Sequence, residues 1–129
     1  MIERVAIVGA REATPEILAR VDKYMREELS MDAVVVSGDA KGVDRHAADA
    51  AIRSGRRVRE FAPNYDDFDP KVAPILRNSE IAHYCTRAVA FPGPNSAGTW
   101  DLCRKVRKLG KPLLVVYWDG RRERFNEGE

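Results

Sequence analysis

The sequence has little net charge, little cysteine and no long apolar run. Its 22 basic and 20 acidic residues leave a formal charge of +2 over 129 residues, so it has no strong general attraction to nucleic acid or to anionic membranes. Cys85 and Cys103 are spaced neither as a zinc knuckle nor as a redox pair, which predicts two buried thiols. No apolar run approaches the roughly twenty residues that cross a bilayer, and no signal peptide is expected before the first strand. We expect a cytoplasmic protein.

Motifs for common cofactors and catalytic centres are also missing. The chain has neither the GxGxxG fingerprint of dinucleotide sites nor the GxxxxGK[ST] loop of nucleoside triphosphatases. His46 and His83 have no partners at metal-ligand spacing, and no Ser-His-Asp or Cys-His arrangement can be assigned. The sequence therefore implies no cofactor and no metal.

What the sequence does contain is a regular alternation of short β-branched runs with helical patterns. Five runs are predicted to be strands, at 5–8, 33–36, 58–61, 88–91 and 113–116. Most are apolar on both faces, as in a buried parallel sheet. The predicted fold is a Rossmann-like α/β domain, with an open, mainly parallel five-stranded sheet and helices on both faces. We assign a single domain to 1–120 and a poorly ordered tail to 121–129.

Helix start and stop signals fit this alternation. Thr14 is a good N-cap with Pro15 at the first helical position, and Gly55 ends the second predicted helix. The third helix starts somewhere between Pro70 and Pro74, and the fourth runs from Thr99 to the glycine cap at 110.

In open parallel sheets, ligands bind beyond the carboxyl ends of the strands. After the first strand, Arg11 is in reach of a phosphate. After the second, Ser37, Gly38 and Asp44 belong to a glycine-containing turn into a helix. Asp44 is expected to satisfy the helix amides itself, to accept from a ribose hydroxyl or to orient an arginine, because its charge would repel phosphate.

The loop after the fourth strand is the better phosphate site. Ser96 and Thr99 offer hydroxyls, Gly98 exposes backbone amides, and the following helix adds positive potential. Arg77 and Asn78, in the preceding helix, offer a bidentate fork and an amide that pairs with a base or a ribose.

Four stretches together resemble a known superfamily. They are 9–11, 37–47, 77–82, and 90–93 with 98–99. In this order they make the chain from residue 5 to about 117 similar to the SLOG superfamily of Rossmann-like domains, and most closely to its YspA-type (YpsA-related) members. The resemblance implies a nucleotide or nucleotide-derived ligand, bound by a sensor or binding protein. It also implies a homodimer, formed through the exposed faces of the third and fourth helices.

Two more distant relatives suggest alternative functions. The cytokinin-activating phosphoribohydrolases cleave a base from a nucleoside monophosphate with an arginine, which Arg77 matches, and a glutamate, whose position reads Leu102. Asp101 is adjacent, but one helical step turns a side chain by about 100°. The catalytic residues are therefore unknown, with Arg77 and Asp101 as candidates.

The other relative, the DNA-processing protein A family, suggests binding to single-stranded DNA. The balanced charge disfavours a nucleic acid partner. Four arginines at 53, 56, 57 and 59 form a basic cluster that we interpret as a solvated face, and loss of Arg53 or Arg57 would test the DNA alternative.

The predicted ligand-binding residues lie in the loops that follow the strands and in the helix before the fourth strand. They are Gly9, Arg11, Ser37, Gly38, Asp44, Arg77, Asn78, Pro92, Gly93, Ser96, Gly98 and Thr99.

Overall fold

The computed structural model describes residues 2–127, which form one six-stranded sheet with four helices. The strands are β1 (Arg4–Gly9), β2 (Val34–Ser37), β3 (Val58–Glu60), β4 (Arg87–Phe91), β5 (Leu113–Val116) and β6 (Arg122–Phe125). The helices are α1 (Pro15–Glu27), α2 (Val43–Arg53), α3 (Ala73–Tyr84) and α4 (Ala97–Lys108). The predicted Rossmann-like α/β class is confirmed.

The sheet order is β3-β2-β1-β4-β5-β6, and only the last pair is antiparallel. The chain builds outward from β1 to β3 and then crosses back to place β4 on the other side of β1. The carboxyl ends of β1 and β4 therefore diverge at a topological switch point, where folds of this type bind ligands. Gly9 is paired with Phe91 at this point.

Two apolar cores cover the two faces of the sheet. Ile17 and Val21 of α1 pack with Ala47 of α2 on one face, and Ile81 of α3 packs with Leu102 of α4 on the other. Burying a large aliphatic side chain contributes roughly 1.5–3 kcal/mol, so these helices are held mainly by their apolar faces. Cys85 and Cys103 are both buried in the second core, as predicted.

Two predictions are wrong at one edge of the sheet. The sequence predicts five strands and a poorly ordered tail, whereas part of that tail forms a sixth strand. Arg122–Phe125 form β6, which pairs with β5 in the register Leu113↔Phe125. Phe125 packs against the core, and the guanidinium of Arg107 lies 4.1 Å from its ring centroid. The sequence of this strand is mostly charged, so it lacks the alternation of apolar and polar residues by which a strand is recognised. Residues 128 and 129 of the predicted tail lie outside the described residues.

The basic cluster is also not a uniform solvated face. Arg56 is only 8% exposed, and its guanidinium donates to the carbonyls of Met25 at 2.9 Å, Leu29 at 2.7 Å and Ser30 at 3.1 Å. These carbonyls belong to the end of α1 and the residues just after it, where a cation is favoured by the helix dipole. Arg56 therefore anchors α1 against the start of β3.

Within the described residues, no helix is both long enough and apolar enough to cross a membrane.

Gly42 fixes the start of α2 against the end of β1. Its φ is +85°, and a Cβ there would collide with the carbonyl oxygens of Ala10 and Arg11. The amide of Val43 donates to Ala10 at 3.0 Å in this contact. Gly55, just after α2, has the same φ of +85°, but among the described residues no atom would approach its Cβ within 4 Å.

We predict that Gly42→Ala destabilises the fold much more than Gly55→Ala. A left-handed backbone alone costs an alanine about 1–2 kcal/mol, while Gly42→Ala must also displace backbone and should cost roughly 2 kcal/mol more. Chemical denaturation of the two variants measures the difference. Equal losses would contradict the close approach at Gly42.

Candidate functional site

The carboxyl ends of β1 and β4 open onto a hollow of about 270 Å³, which we call the anion pocket. It lies at the topological switch point of the sheet. Eight of the twelve predicted ligand-binding residues line it: Gly9, Arg11, Asp44, Arg77, Asn78, Ser96, Gly98 and Thr99. Asn95, Ala97 and Leu102 also line it, and the sequence had not assigned them a binding role.

The other four predicted residues lie elsewhere. Ser37 is fully buried, and its hydroxyl donates to the carbonyl of Asp44 and accepts from the amide of Asp39 at 3.2 Å. Gly38 is buried behind the pocket wall. Pro92 and Gly93 face a second hollow on the other side of their loop.

Asp44 and Arg77 form the buried part of the pocket wall. An alanine Cβ at position 38 would lie 2.8 Å from Nη1 of Arg77 and 2.8 Å from Oδ2 of Asp44, so the glycine makes room for both groups. Arg77 donates to the carbonyl oxygen of Gly38. Oδ1 of Asp44 accepts from the amide of Gly9 at 3.2 Å. The pair thereby ties together the ends of β1 and β2.

Burial changes the pKa of both groups. It raises the pKa of Asp44 from 3.8 to about 6, although the charge of Arg77 and the amide of Gly9 oppose the rise. Burial lowers the pKa of Arg77, and the nearby Arg11 lowers it further, while Asp44 opposes the shift. Arginine remains charged at neutral pH even so. The pocket thus holds a permanent cation and a carboxyl group that titrates close to neutrality.

Asn78 joins α3 to the start of α4. Its amide nitrogen donates to the carbonyl of Gly98 at 3.1 Å and to Asp101 at 3.0 Å, and its oxygen accepts from Arg77 at 3.0 Å. These contacts use both hydrogens of the amide. Asn78 is therefore engaged in holding the pocket together.

Asp101 lies on the side of α4 that faces Asn78 of α3. It accepts from Lys105 at 2.7 Å, and although burial acts to raise its pKa, the hydrogen bonds from Lys105 and Asn78 outweigh that effect and lower it. Asp101 does not contribute to the pocket lining, whereas Leu102 does. Leu102 is almost fully buried, so the position that the resemblance to the phosphoribohydrolases assigns to a glutamate carries a buried apolar side chain.

The helices α2 and α4 both begin at this edge of the sheet, and they differ at their N-termini. At the start of α2, the amide of Val43 donates to Ala10 at 3.0 Å, and that of Arg45 donates to Ala40 at 3.1 Å. At the start of α4, no side chain of residues 2–127 caps the helix. The hydroxyl of Ser96 instead accepts from the amide of Gly93 at 2.7 Å. The first amides of α4 are therefore open to an anion, as helix N-termini with unpaired amides generally are.

A family model described as DNA recombination-mediator protein A matches residues 1–85. The chain belongs to this family. The DNA processing protein DprA of Streptococcus pneumoniae strain R6 is 23% identical over 141 residues, which cover 88% of this chain and 50% of the relative.

Solved structures of family members share the fold. The X-ray structure of DprA from Streptococcus pneumoniae has a TM-score of 0.75 at 23% identity and covers 89% of this chain and 50% of that one. A structure of DNA processing protein A from Helicobacter pylori, described by its single-stranded DNA binding mode, has a TM-score of 0.73 at 24% identity. It covers 88% of this chain and 65% of that chain. This member of the DNA recombination-mediator protein A family thus spans about half to two thirds of the length of these relatives.

The comparisons overturn one prediction about partners. The balanced net charge disfavoured nucleic acid, yet the relatives in the DNA recombination-mediator protein A family are named for DNA processing and, in one case, for binding single-stranded DNA. The prediction is wrong because a net charge sums over the whole surface, whereas phosphate binding depends on the local field at one site.

The pKa of Asp44 makes the stability of the fold depend on pH. Its folded pKa of about 6 exceeds the ordinary value of 3.8, so the folded protein holds this proton more tightly than the unfolded chain does. Asp44 therefore favours folding most below about pH 4, and this contribution is lost as the pH rises through 6.

We predict that the unfolding free energy of the wild type, relative to Asp44→Asn, falls by about 2–3 kcal/mol between pH 4 and pH 7. Urea denaturation of both proteins at several pH values measures this difference. A difference that stays constant with pH would show that Asp44 titrates normally.

Proposed function

We propose that the protein binds single-stranded DNA, with one phosphate of the strand in the anion pocket. The observation that carries this proposal is the open N-terminus of α4 facing the same hollow as Arg11 and Arg77. Backbone amides and guanidinium groups are the usual phosphate ligands of proteins. Membership of a family whose relatives are named for DNA processing supports nucleic acid as the source of that phosphate.

Each wall of the pocket has a distinct role in this proposal. The amides of Ala97, Gly98 and Thr99 face the phosphate. Arg11, which is exposed, supplies a mobile charge at the rim. Arg77, which is buried and hydrogen-bonded to Gly38 and Asn78, supplies a fixed charge from behind. A volume of about 270 Å³, just below the range for drug-sized ligands, suits a phosphate and its sugar rather than several nucleotides.

Binding to single-stranded DNA replaces the nucleotide sensor that the sequence favoured. The phosphoribohydrolase alternative gains no support from α4, because Leu102 lines the pocket and the carboxylate of Asp101 is held by Lys105. We therefore propose binding rather than hydrolysis. The closer likeness to YspA-type members and the homodimer stay predictions.

The anion pocket lies apart from the basic cluster, which the sequence analysis interprets as a solvated face and which supplies the test of the DNA alternative. Arg53 ends α2 and Arg57 precedes β3. Since α2 runs from the carboxyl edge of the sheet back to its amino edge, both arginines lie at the edge opposite the anion pocket.

We predict that Arg11→Ala weakens binding of fluorescein-labelled oligo(dT) about tenfold, measured by fluorescence anisotropy. It should also reduce the slope of log affinity against log salt by about 0.7, the value for one phosphate contact in a single strand. Arg53→Ala, which removes the same charge from an exposed arginine, should leave affinity unchanged. A loss with Arg53→Ala alone would place the strand at the opposite edge, and equal losses would indicate a general charge effect.

Binding should also strengthen as the pH falls. Asp44 lines the pocket with a pKa of about 6, so between pH 7.5 and 5.5 it changes from mostly charged to mostly neutral and stops opposing the phosphate. We predict a gain in oligo(dT) affinity of about tenfold, equivalent to one pKa unit. Asp44→Asn should show little of this gain. A pH dependence that persists in Asp44→Asn would assign the effect to another group.

A further inference from the structure

A second hollow of about 410 Å³ lies beside the anion pocket and has a different character. Its walls include Trp100, Tyr117, Trp118, Pro92 and Pro94, and we call it the aromatic groove. Trp118 is 61% exposed. Aromatic rings bury a large apolar area when they stack on a partner, so the groove offers an open stacking surface.

The aromatic groove and the anion pocket share one wall. Pro94 lines the groove, while the next two residues, Asn95 and Ser96, line the pocket. Consecutive Cα atoms are only 3.8 Å apart, so the two hollows meet across a single loop. The hydrogen bond from the amide of Gly93 to the hydroxyl of Ser96, at 2.7 Å, closes that loop. A DNA strand that extends from the anion pocket across this loop would enter the aromatic groove.

Basic side chains also lie on the side of the aromatic groove that is away from the anion pocket. Trp118 also borders a shallow hollow lined by Arg20 and Lys23, and Arg20 donates to the carbonyl of Trp118 at 3.2 Å. The guanidinium of Arg121 lies 4.1 Å from the ring centroid of Tyr117. Glu16 lines both the aromatic groove and this shallow hollow, and it is the acidic residue among their lining side chains. Aromatic faces flanked by cations are the arrangement with which proteins bind single strands, stacking the bases while the cations follow the backbone.

We propose that the aromatic groove stacks a base of the nucleotide next to the one whose phosphate occupies the anion pocket, with Trp118 as the main stacking surface. This inference rests on the proposed function and adds a second contact site to it. It also gives a reason for single-strand binding, because a base paired in a duplex cannot offer its face to Trp118.

Intrinsic fluorescence reports directly on the groove. The chain has two tryptophans, and both line it. Oligo(dT) should quench their emission, whereas an abasic oligonucleotide with the same number of phosphates should bind more weakly and quench less. In anisotropy titrations, Trp118→Ala should lower oligo(dT) affinity by about 5- to 100-fold, the range for loss of one stacked base. Its affinity for the abasic strand should not change, and Trp118→Phe should retain most of the oligo(dT) affinity.

The matched control is Ile52→Ala, which removes an apolar side chain of similar exposure, 60%, from α2. If the wild type binds oligo(dT) and depends on Arg11, but Trp118→Ala binds both strands as the wild type does, the stacking inference alone is overturned. If the wild type binds neither strand, the proposed function fails as well. If Trp118→Ala alters only self-association in sedimentation runs, the groove is instead an interface between copies.

Discussion

A buried carboxyl group and a buried guanidinium both lie beside Gly38, and the arrangement of this edge of the sheet depends on the hydrogen bonds that each makes to the backbone. Asp44 holds the end of β1 through the amide of Gly9, and Arg77 holds the end of β2 through the carbonyl of Gly38. Asn78 extends the same network to the first turn of α4. Two strands and three helices are thereby fixed around one hollow. Because the groups are buried, the network keeps the pocket in shape before any ligand arrives.

Two helices that begin at the same edge of the sheet differ in whether their first backbone amides are already hydrogen-bonded within the protein. The amides that begin α2 pair with the protein's own carbonyl groups, so this turn is part of the scaffold. The amides that begin α4 remain open because Ser96 turns its hydroxyl toward Gly93. A glycine-containing turn between a strand and a helix is thus not sufficient evidence of a phosphate site. A phosphate can bind there only if the first amides of the helix are not already hydrogen-bonded to groups of the protein itself.

Much of the fold could be predicted from the sequence, because buried parallel strands carry a strong apolar signal and helix caps such as Thr14 have local causes. β6 could not, since it is held by backbone pairing with β5 and by one packed ring, Phe125. Arg56 resembles any surface arginine in the sequence, because the carbonyl groups that it binds lie 26 to 31 residues earlier in the chain.

The site was only partly predictable for a similar reason. Motifs identified Arg11, Arg77 and the start of α4, but no spacing rule shows that Trp118, after β5, faces the same groove as Trp100 of α4. Overall composition also misled, because the balance of charges concealed the cations at one edge of the sheet.

The sixth strand has a consequence for how copies of the protein meet. An exposed sheet edge offers unpaired backbone groups on which another chain can add a strand. β6 carries three successive charged residues, Arg122, Glu123 and Arg124, along one edge, and β3 at the other edge is three residues long and includes Arg59 and Glu60. Short or charged edges disfavour such pairing. Copies of the protein at high local concentration would therefore resist β-sheet polymerisation.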